Sequence, residues 1–323
     1  MDGNGKTSVL RQPRFRCGIG LLAFITLLAL GADFIAPYSP STQFRESYIS
    51  APWHDNNPSI QGSPRLTFFA VGEPYRWLGL VPCRRHLLGS SNSAHLFLLG
   101  ADEFGRDLFS RLLFGARISL LVGLVGVVIS FGVGVLLGGL SGYFSGWVDQ
   151  IIMRSSELFL ALPGLYLLLT LRSVFPRELS STASFFLIIA ILSLVNWGSI
   201  ARVIRGMVLS LRQSDFVEAA RASGCTHLRV LVRHILPNTA PFLTAQALLS
   251  IPYYILGEIA LSFLGLGIQE PTPSWGNMLA SAMNVNSLTQ HPWILSPGAA
   301  IFLVVLAFNL VGEELNDAFS PRK

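Results

Sequence analysis

The chain has 323 residues, of which 51% are hydrophobic and only 13% are charged, with a formal net charge of +5. Soluble domains carry about 25% charged residues, and the apolar residues here cluster in stretches of roughly the 20 residues that cross a bilayer. This composition excludes an ordinary soluble domain. The positive charge does not indicate nucleic-acid binding, because arginines gather at the ends of the apolar stretches and in one loop, as they do in membrane proteins.

Six apolar stretches predict an all-α, polytopic membrane protein. The first stretch follows a short basic leader, and at about 18 residues it is longer than the apolar part of a signal peptide. We therefore expect an uncleaved first membrane helix. The predicted spans are residues 18–37, 115–140, 150–171, 184–205, 241–265 and 293–312.

The placement of arginines predicts the topology. The loop between the fourth and fifth spans is rich in arginine and should be cytoplasmic, which puts both termini of a six-span chain in the cytoplasm. The long segment after the first span is then extracytoplasmic, and its many prolines and aromatic residues predict an ordered but irregular lobe that ends in an interfacial helix. The predicted parts are a tail (1–17), the first span (18–37), the lobe (38–114), a five-helix core (115–312) with a cytoplasmic loop (206–240), and a tail (313–323).

Glycines are frequent in the second span. Gly126, Gly134 and Gly138 lie at multiples of one helical turn, and small residues at that spacing allow two helix backbones to approach closely. We expect packing within the chain, with a dimer interface as the alternative.

Ionisable residues at membrane depth are functional candidates, because charge is costly there. Glu157 lies one turn from Arg154, which favours a structural ion pair, whereas Glu258 has no basic neighbour in sequence. Glu258 could line a transport pathway or bond to backbone at the outer surface. A proton-coupled secondary transporter that uses these two glutamates is therefore one hypothesis for the function.

Charges of alternating sign precede the second span, at Asp102, Arg106, Asp107 and Arg111. One interpretation is a solvated interfacial helix. The other is that Asp102, Arg106 and Asp107 form part of a rim on which an external protein docks.

The arginine-rich loop has the features of two short helices joined by a turn. Asp215 and Glu218 have capping-box spacing, so a helix should begin near Phe216. Gly224 lies where that helix must stop, at a position that commonly requires a positive φ. Thr226 could cap the second helix.

The second helix of the loop is predicted to be amphipathic. Its apolar face comprises Leu228, Leu231, Val232 and Ile235, Arg229 and Arg233 lie on another face, and Pro237 should end the helix. By pattern alone, this helix could rest on the membrane surface or dock onto a cytoplasmic partner.

The stretch DFVEAARASGCTHLRVLVRHILPN, residues 215–238, resembles the EAA loop in the membrane subunits of bacterial ABC importers. It departs from that pattern at His234, where the family has an aliphatic residue. The segments LLGADEFGRDLFSRLLFGARISL (98–120) and LSFLGLGIQEPTPSWGNML (261–279) resemble the dipeptide/oligopeptide/nickel permease group, C-type member. Ala101 replaces the usual Thr, and Glu157 stands where Asp is more frequent.

This resemblance implies a permease subunit of the inner membrane that imports short peptides, with nickel, opines or another small solute as the alternative. It implies a homologous partner permease, two cytoplasmic ABC ATPase subunits that bind ATP-Mg, and an extracytoplasmic solute-binding protein. The resemblance also implies a role in coupling to the ATPases for Asp215, Glu218, Ala219, Ala220, Gly224, Arg229, Arg233 and Pro237.

No enzyme chemistry is predicted for this chain. Gly5-Lys6-Thr7 hints at a phosphate-binding loop, but the motif requires a glycine five residues earlier and a preceding strand. No metal-ligand spacing and no nucleophile with a base are evident, so we expect neither a bound cofactor nor a metal, and a non-catalytic subunit.

Overall fold

The computed structural model describes residues 11–47, 49–55, 64–77, 79–90, 94–176, 178–283 and 285–319. Gly5-Lys6-Thr7 and the outer ends of both predicted tails lie outside these residues. The helices are α1 (Pro13–Leu30), α2 (Ala32–Ile35), α3 (Leu108–Phe144), α4 (Gly146–Ala161), α5 (Gly164–Ser173), α6 (Ser181–Leu211), α7 (Asp215–Ala222), α8 (His227–Arg229), α9 (Leu236–Phe263), α10 (Trp275–Ala280), α11 (Val285–Gln290) and α12 (Ser296–Phe319), and the strands are β1 (Leu66–Trp77) and β2 (Val81–Ser90).

The predicted helical membrane architecture is confirmed. Five helical stretches among the described residues are long and apolar enough to cross a bilayer, and α4 with α5 makes a possible sixth. Most of these helices extend beyond the predicted spans, because hydropathy detects the apolar middle of a helix and not its polar ends. One end of the bundle carries the segment between α2 and α3 and is called the lobe end. The opposite end carries α7 and α8 and is called the loop end.

The third predicted span, 150–171, is not one straight helix. Helices α4 and α5 meet at an angle of 94°. Leu162 is extended, with φ −93° and ψ 140°, and Pro163 precedes the first residue of α5. Proline lacks an N–H and disfavours helical backbone in the residue before it, so this dipeptide ends α4 and redirects the chain.

Helix α3 packs along α6 at the centre of the bundle, and its glycines make this contact possible. A Cβ atom on Gly134 would lie 2.7 Å from Cβ of Ile200, and one on Gly138 would collide with the backbone of Ala201. On the neighbouring face, a Cβ on Gly126 would meet the ring of Tyr254 in α9. The glycines therefore serve packing within the chain, as the sequence predicts.

The lobe contains a β-hairpin, so the prediction of an irregular lobe is wrong for this part, although the strand register shifts between Val71 and Tyr75. Strands β1 and β2 are antiparallel, with Phe68 opposite Leu88 and Trp77 opposite Val81. Gly79 in the connecting turn has φ +77°, which glycine adopts without strain. Both strands are edge strands, which tolerate proline; Pro74 lies in the shift of register between Val71 and Tyr75.

Candidate functional site

Helix α7 at the loop end presents one buried and one exposed face. Val217 and Ala220 point into the bundle and are buried, and together they hold the helix against the core. The remaining side chains face outward and include two of the predicted coupling residues in the EAA run. The exposed residues are Asp215, Phe216, Glu218, Ala219, Arg221 and Ala222.

The start of α7 differs from the predicted capping box. Ser214 is the N-cap residue, but its hydroxyl donates a 2.5 Å hydrogen bond back to the carbonyl of Leu211 and does not cap the helix. Asp215 is the first helical residue, and Asp215 and Glu218 both lie in the first turn. Negative charge there is favourable, because the N-terminus of a helix carries partial positive charge.

The turn after α7 confirms the prediction for Gly224. This residue has φ +79°, and its N–H donates to the carbonyl of Arg221 at 2.9 Å. The N–H of Cys225 donates to the carbonyl of Ala220 at 3.2 Å, which completes a Schellman motif. A Cβ on Gly224 would have no atom within 4 Å, so the backbone conformation alone selects glycine.

The second helix of the loop continues directly into α9. Short α8 passes into a π-helical segment, Val230–Ile235, and then into Leu236–Phe263. Pro237 lies at the start of α9, where a missing N–H is tolerated, so the prediction that it ends the helix is wrong. Because Pro237 cannot donate to the carbonyl four residues before it, the hydrogen-bond ladder can widen into the π form there.

The π form also changes which apolar residues are buried. Val230, Leu231 and Ile235 face the bundle, whereas Leu228 and Val232 are 59% and 61% exposed. The predicted face of four residues is therefore only half correct, since a π turn places residues five apart on the same side. Arg229 and Arg233 are exposed as well, so charged and apolar side chains share the outer surface.

Tyr143, near the end of α3, anchors both helices of the loop. Its hydroxyl lies 3.0 Å from Nδ1 of His227, and the guanidinium of Arg221 lies 5.4 Å from the centre of its ring. Arg212 donates a 2.9 Å hydrogen bond to the carbonyl of Tyr143 and another of the same length to the hydroxyl of Ser145. These contacts connect the loop directly to the end of α3. The sequence signal for this anchor is weak, because His227 lies 84 residues from Tyr143.

A second set of contacts at the loop end is an ion pair between α6 and α4. Arg205 of α6 makes two hydrogen bonds to Asp149 of α4, at 2.5 and 2.7 Å, and the hydroxyl of Ser141 donates to the same carboxylate at 2.5 Å. Three helices are joined at this carboxylate. Sequence analysis did not identify this pair, because its two residues lie 56 positions apart on different predicted helices.

The two candidate glutamates at membrane depth have different surroundings. Glu157 forms the predicted ion pair with Arg154 at 2.9 Å, on the surface of α4. Glu258 is completely buried and accepts hydrogen bonds from the hydroxyls of Ser262 at 2.6 Å and Ser119 at 3.2 Å. It therefore links α9 to α3 and faces no open surface in this conformation.

The charges before α3 form a buried network at the lobe end, so the interpretation as a solvated helix is wrong. Arg106 donates to Asp102 at 2.7 Å and to Glu270 at 2.6 Å, and Arg111 donates to Glu270 at 2.8 Å. Burial excludes direct contact of most of these groups with an external protein in this conformation. Glu270, which sequence analysis did not single out, is the exposed member, at 43%.

Asp107 caps α3 and accepts hydrogen bonds from the N–H and the hydroxyl of Ser110, at 2.8 and 2.6 Å. Its burial raises the pKa of this carboxyl to about 7, and the hydrogen bonds from Ser110 only partly oppose that effect. Among the residues that the structure describes, no three His, Cys, Asp or Glu side chains come together as ligands for a metal ion.

Comparisons with known proteins agree with this architecture. The profile of the family described as binding-protein-dependent transport system inner membrane component matches residues 134–323, and that of the N-terminal TM domain of oligopeptide transport permease C matches residues 9–54. The di/tripeptide transport system permease protein of Pseudomonas aeruginosa is 39% identical over 306 residues, or 94% of this chain and 87% of that protein.

Two further similarities extend the comparison. The glutathione transport system permease protein of Pectobacterium atrosepticum is 41% identical over 231 residues, which cover 72% of this chain and 74% of that protein. A solved chain described as an inward-facing conformation of the MetNI methionine ABC transporter matches with a TM-score of 0.51 at 16% identity. It covers 66% of this chain and 98% of that one. This last similarity concerns the fold alone.

Proposed function

Because the chain belongs to the family of binding-protein-dependent transport system inner membrane components, as a C-type member of the dipeptide/oligopeptide permeases, we propose that it forms half of the pathway of an ATP-driven peptide importer. The observation that carries the proposal is the exposed helix α7, fixed by a Schellman turn at one end of the bundle and anchored on Tyr143. An ATPase subunit would bind this helix, and Glu218 and Ala219 lie on its exposed face.

Peptides are the substrate class that the relatives support. The similar permeases are named for di/tripeptides, dipeptides and glutathione, which is itself a tripeptide. The nickel and opine alternative has no such support. A proton-coupled mechanism through the two glutamates is also less well supported, since Glu157 is paired at the surface and Glu258 is bonded within the core.

The proposed mechanism is alternating access driven by partner subunits. Two cytoplasmic ATPases would bind and hydrolyse ATP-Mg, and their closure would move α7. Contacts of Tyr143 would pass the motion to α3, and the continuous helix from His227 would pass it to α9. A homologous permease would supply the other half of the pathway, and a solute-binding protein would deliver the peptide. The loop end and both termini then face the cytoplasm, in keeping with the arginines of the loop.

Co-purification in mild detergent tests the proposal. The tagged wild-type chain should retain ATPase subunits and a partner permease. A Glu218→Arg/Gly224→Val double variant should lose the ATPases and keep the permease partner. Glu313→Arg, which reverses an exposed charge near the end of α12, is the matched control and should retain both. Absence of an ATPase from the wild-type preparation would refute the proposal.

A further inference from the structure

The β-hairpin of the lobe exposes an unusual number of large apolar side chains. An isolated two-stranded hairpin is marginally stable in water, and exposed apolar patches generally mark an interaction surface. Most residues of strands β1 and β2 are exposed or half-buried, and the buried ones are His86 and Gly89. Seven large apolar side chains are between 36% and 82% exposed: Leu66, Phe68, Phe69, Val71, Trp77, Leu80 and Val81.

The hairpin is fixed beside the first membrane helix. A ring nitrogen of His86 lies 2.6 Å from the carbonyl of Ala36, just after α2, and the rings of Phe69 and Phe34 are 6.2 Å apart. The hydroxyl of Thr42 donates to Glu73 at 3.0 Å. The hairpin is thus held where the chain leaves the lobe end of α1.

The apolar surface of the hairpin continues that of α1. Helix α1 exposes Phe24, Leu27 and Leu30, which are 58%, 67% and 49% accessible, on the side that is free to face lipid. Phe34, which follows these residues in the chain, contacts Phe69 of the hairpin. The contact between Phe34 and Phe69 therefore places the hairpin beside the lobe end of a helix that exposes apolar side chains as a membrane span does.

The charges of the hairpin favour an anionic surface. Its single carboxylate, Glu73, is bonded to Thr42, while the exposed charges are otherwise arginines. A groove of about 410 Å³ lies between α2 and the hairpin, with an aromatic floor and two arginines at its edge. The exposed arginines are Arg76, Arg84 and Arg85 in the strands and Arg65 just before β1. The groove is lined by Phe34, Tyr75, Trp77, Cys83, Arg84 and Arg85.

We propose that the hairpin lies on the membrane surface at the lobe end and binds phospholipids with anionic headgroups. The aromatic groove takes part of an acyl chain, and Arg84 and Arg85 bind the phosphate. The free backbone edges of both strands require water, which places the hairpin among the headgroups and not in the hydrocarbon core. Aromatic side chains are enriched at that depth in membrane proteins. This proposal is independent of which substrate the chain transports.

Spin labels on the full complex in phosphatidylglycerol nanodiscs test the position. Labels would replace Val71 and Leu80 in a background with Cys17, Cys83 and Cys225 changed to serine, and Glu103→Cys on the exposed part of the lobe serves as control. We expect both hairpin labels to collide with oxygen more, and with a water-soluble nickel chelate several-fold less, than the control. Labels as accessible to the chelate as the control, or shielded from both reagents by a protein partner, would overturn the proposal.

The headgroup preference has its own test. Native mass spectrometry of the complex in a mixture of phosphatidylglycerol and phosphatidylcholine would compare the wild type with Arg84→Gln/Arg85→Gln. An arginine near an anionic surface contributes about a fivefold preference. We therefore expect the ratio of bound anionic to zwitterionic lipid to fall at least fivefold, while Arg45→Gln, an exposed arginine of the lobe outside the hairpin, leaves it unchanged. Equal ratios in all three proteins would overturn the anionic assignment.

Discussion

Glu270 and Arg111 lie 159 residues apart in the chain and form an ion pair of 2.8 Å between their side chains. Arg111 is almost completely buried in the first turns of α3, whereas Glu270 lies in the loop after α9. The same carboxylate also accepts from Arg106, so one acidic side chain holds two buried guanidinium groups. The start of α3 and the loop after α9 are joined at this point, at the lobe end.

Glu270→Gln should destabilise the protein. The change removes the charge opposite two buried arginines, and loss of one partner of a buried pair is costly. Because Glu270 is 43% exposed, solvent screening reduces the effect, and we expect a loss of about 1–2 kcal/mol. Thermal unfolding in detergent would measure it. The surface pair provides the control, and Glu157→Gln should change stability by less than about 0.5 kcal/mol. Equal effects would contradict this account.

Asp107 should make stability depend on pH. Burial raises its pKa to about 7 from a usual value of 3.8, so between about pH 4 and pH 7 the folded protein holds a proton that the unfolded chain releases. Its contribution to stability is complete below pH 4 and is lost as the pH rises towards 7, with a slope of at most about 1.4 kcal/mol per pH unit.

Asp107→Asn should remove this slope and keep the cap, because asparagine also accepts the hydrogen bond of an N-cap residue. Melting temperatures of both proteins between pH 4 and pH 8 would check the prediction. Parallel curves for the variant and the wild type would show that Asp107 does not titrate in this range.

Gly138→Ala should be much more harmful than the same change at Gly132. A Cβ at position 138 collides with the backbone of Ala201 and forces α3 away from α6, whereas one at position 132 meets no atom within 4 Å. We expect a loss of about 1–3 kcal/mol for the first variant. The second should gain up to about 1 kcal/mol, since alanine favours a helix. Melting temperatures of the two variants, measured in detergent, distinguish these outcomes.

Gly224→Ala and Gly206→Ala form a second matched pair. Both positions have open space around a new Cβ, but only Gly224 has a positive φ. The left-handed conformation costs a non-glycine residue about 1–2 kcal/mol, so Gly224→Ala should weaken retention of the ATPases in pull-down experiments. Gly206→Ala in α6 should leave retention unchanged. A loss of ATPases from both variants would indicate an effect unrelated to the turn.

The sequence predicts the spans, the loop and the turn at Gly224 well, because hydropathy, arginine placement and the demand for a positive φ are local properties. The break at Pro163 is harder to foresee, since a proline in an apolar stretch can bend a helix slightly or end it. The contacts of Tyr143 with His227 and of Asp149 with Arg205 depend on which helices become neighbours, and no local pattern contains that information. Glu270 escaped notice for the same reason.

The sequence does not predict the hairpin, because prolines such as Pro74 and Pro82 are typical of turns. Edge strands tolerate them, and the aromatic residues around Pro74 have high β propensity. The alternating charges at Asp102 and Arg106 are typical of a solvated surface. Their burial depends on Glu270, which lies 164 residues from Arg106 in the chain.

The helical stretch from His227 to Phe263 joins the loop end of the bundle to its lobe end. It contains 37 residues, and at 1.5 Å per residue it is about 55 Å long, enough to reach from below one membrane face to the other. The π-helical segment, Pro241 and Pro252 lie between its exposed start, at Leu228, and the buried Glu258, and they are the points at which such a helix bends. If these points stay rigid, a tilt of about 5° at the loop end moves the far end by about 5 Å. In the proposed mechanism, a small displacement at the loop end would thus become a larger one at the lobe end.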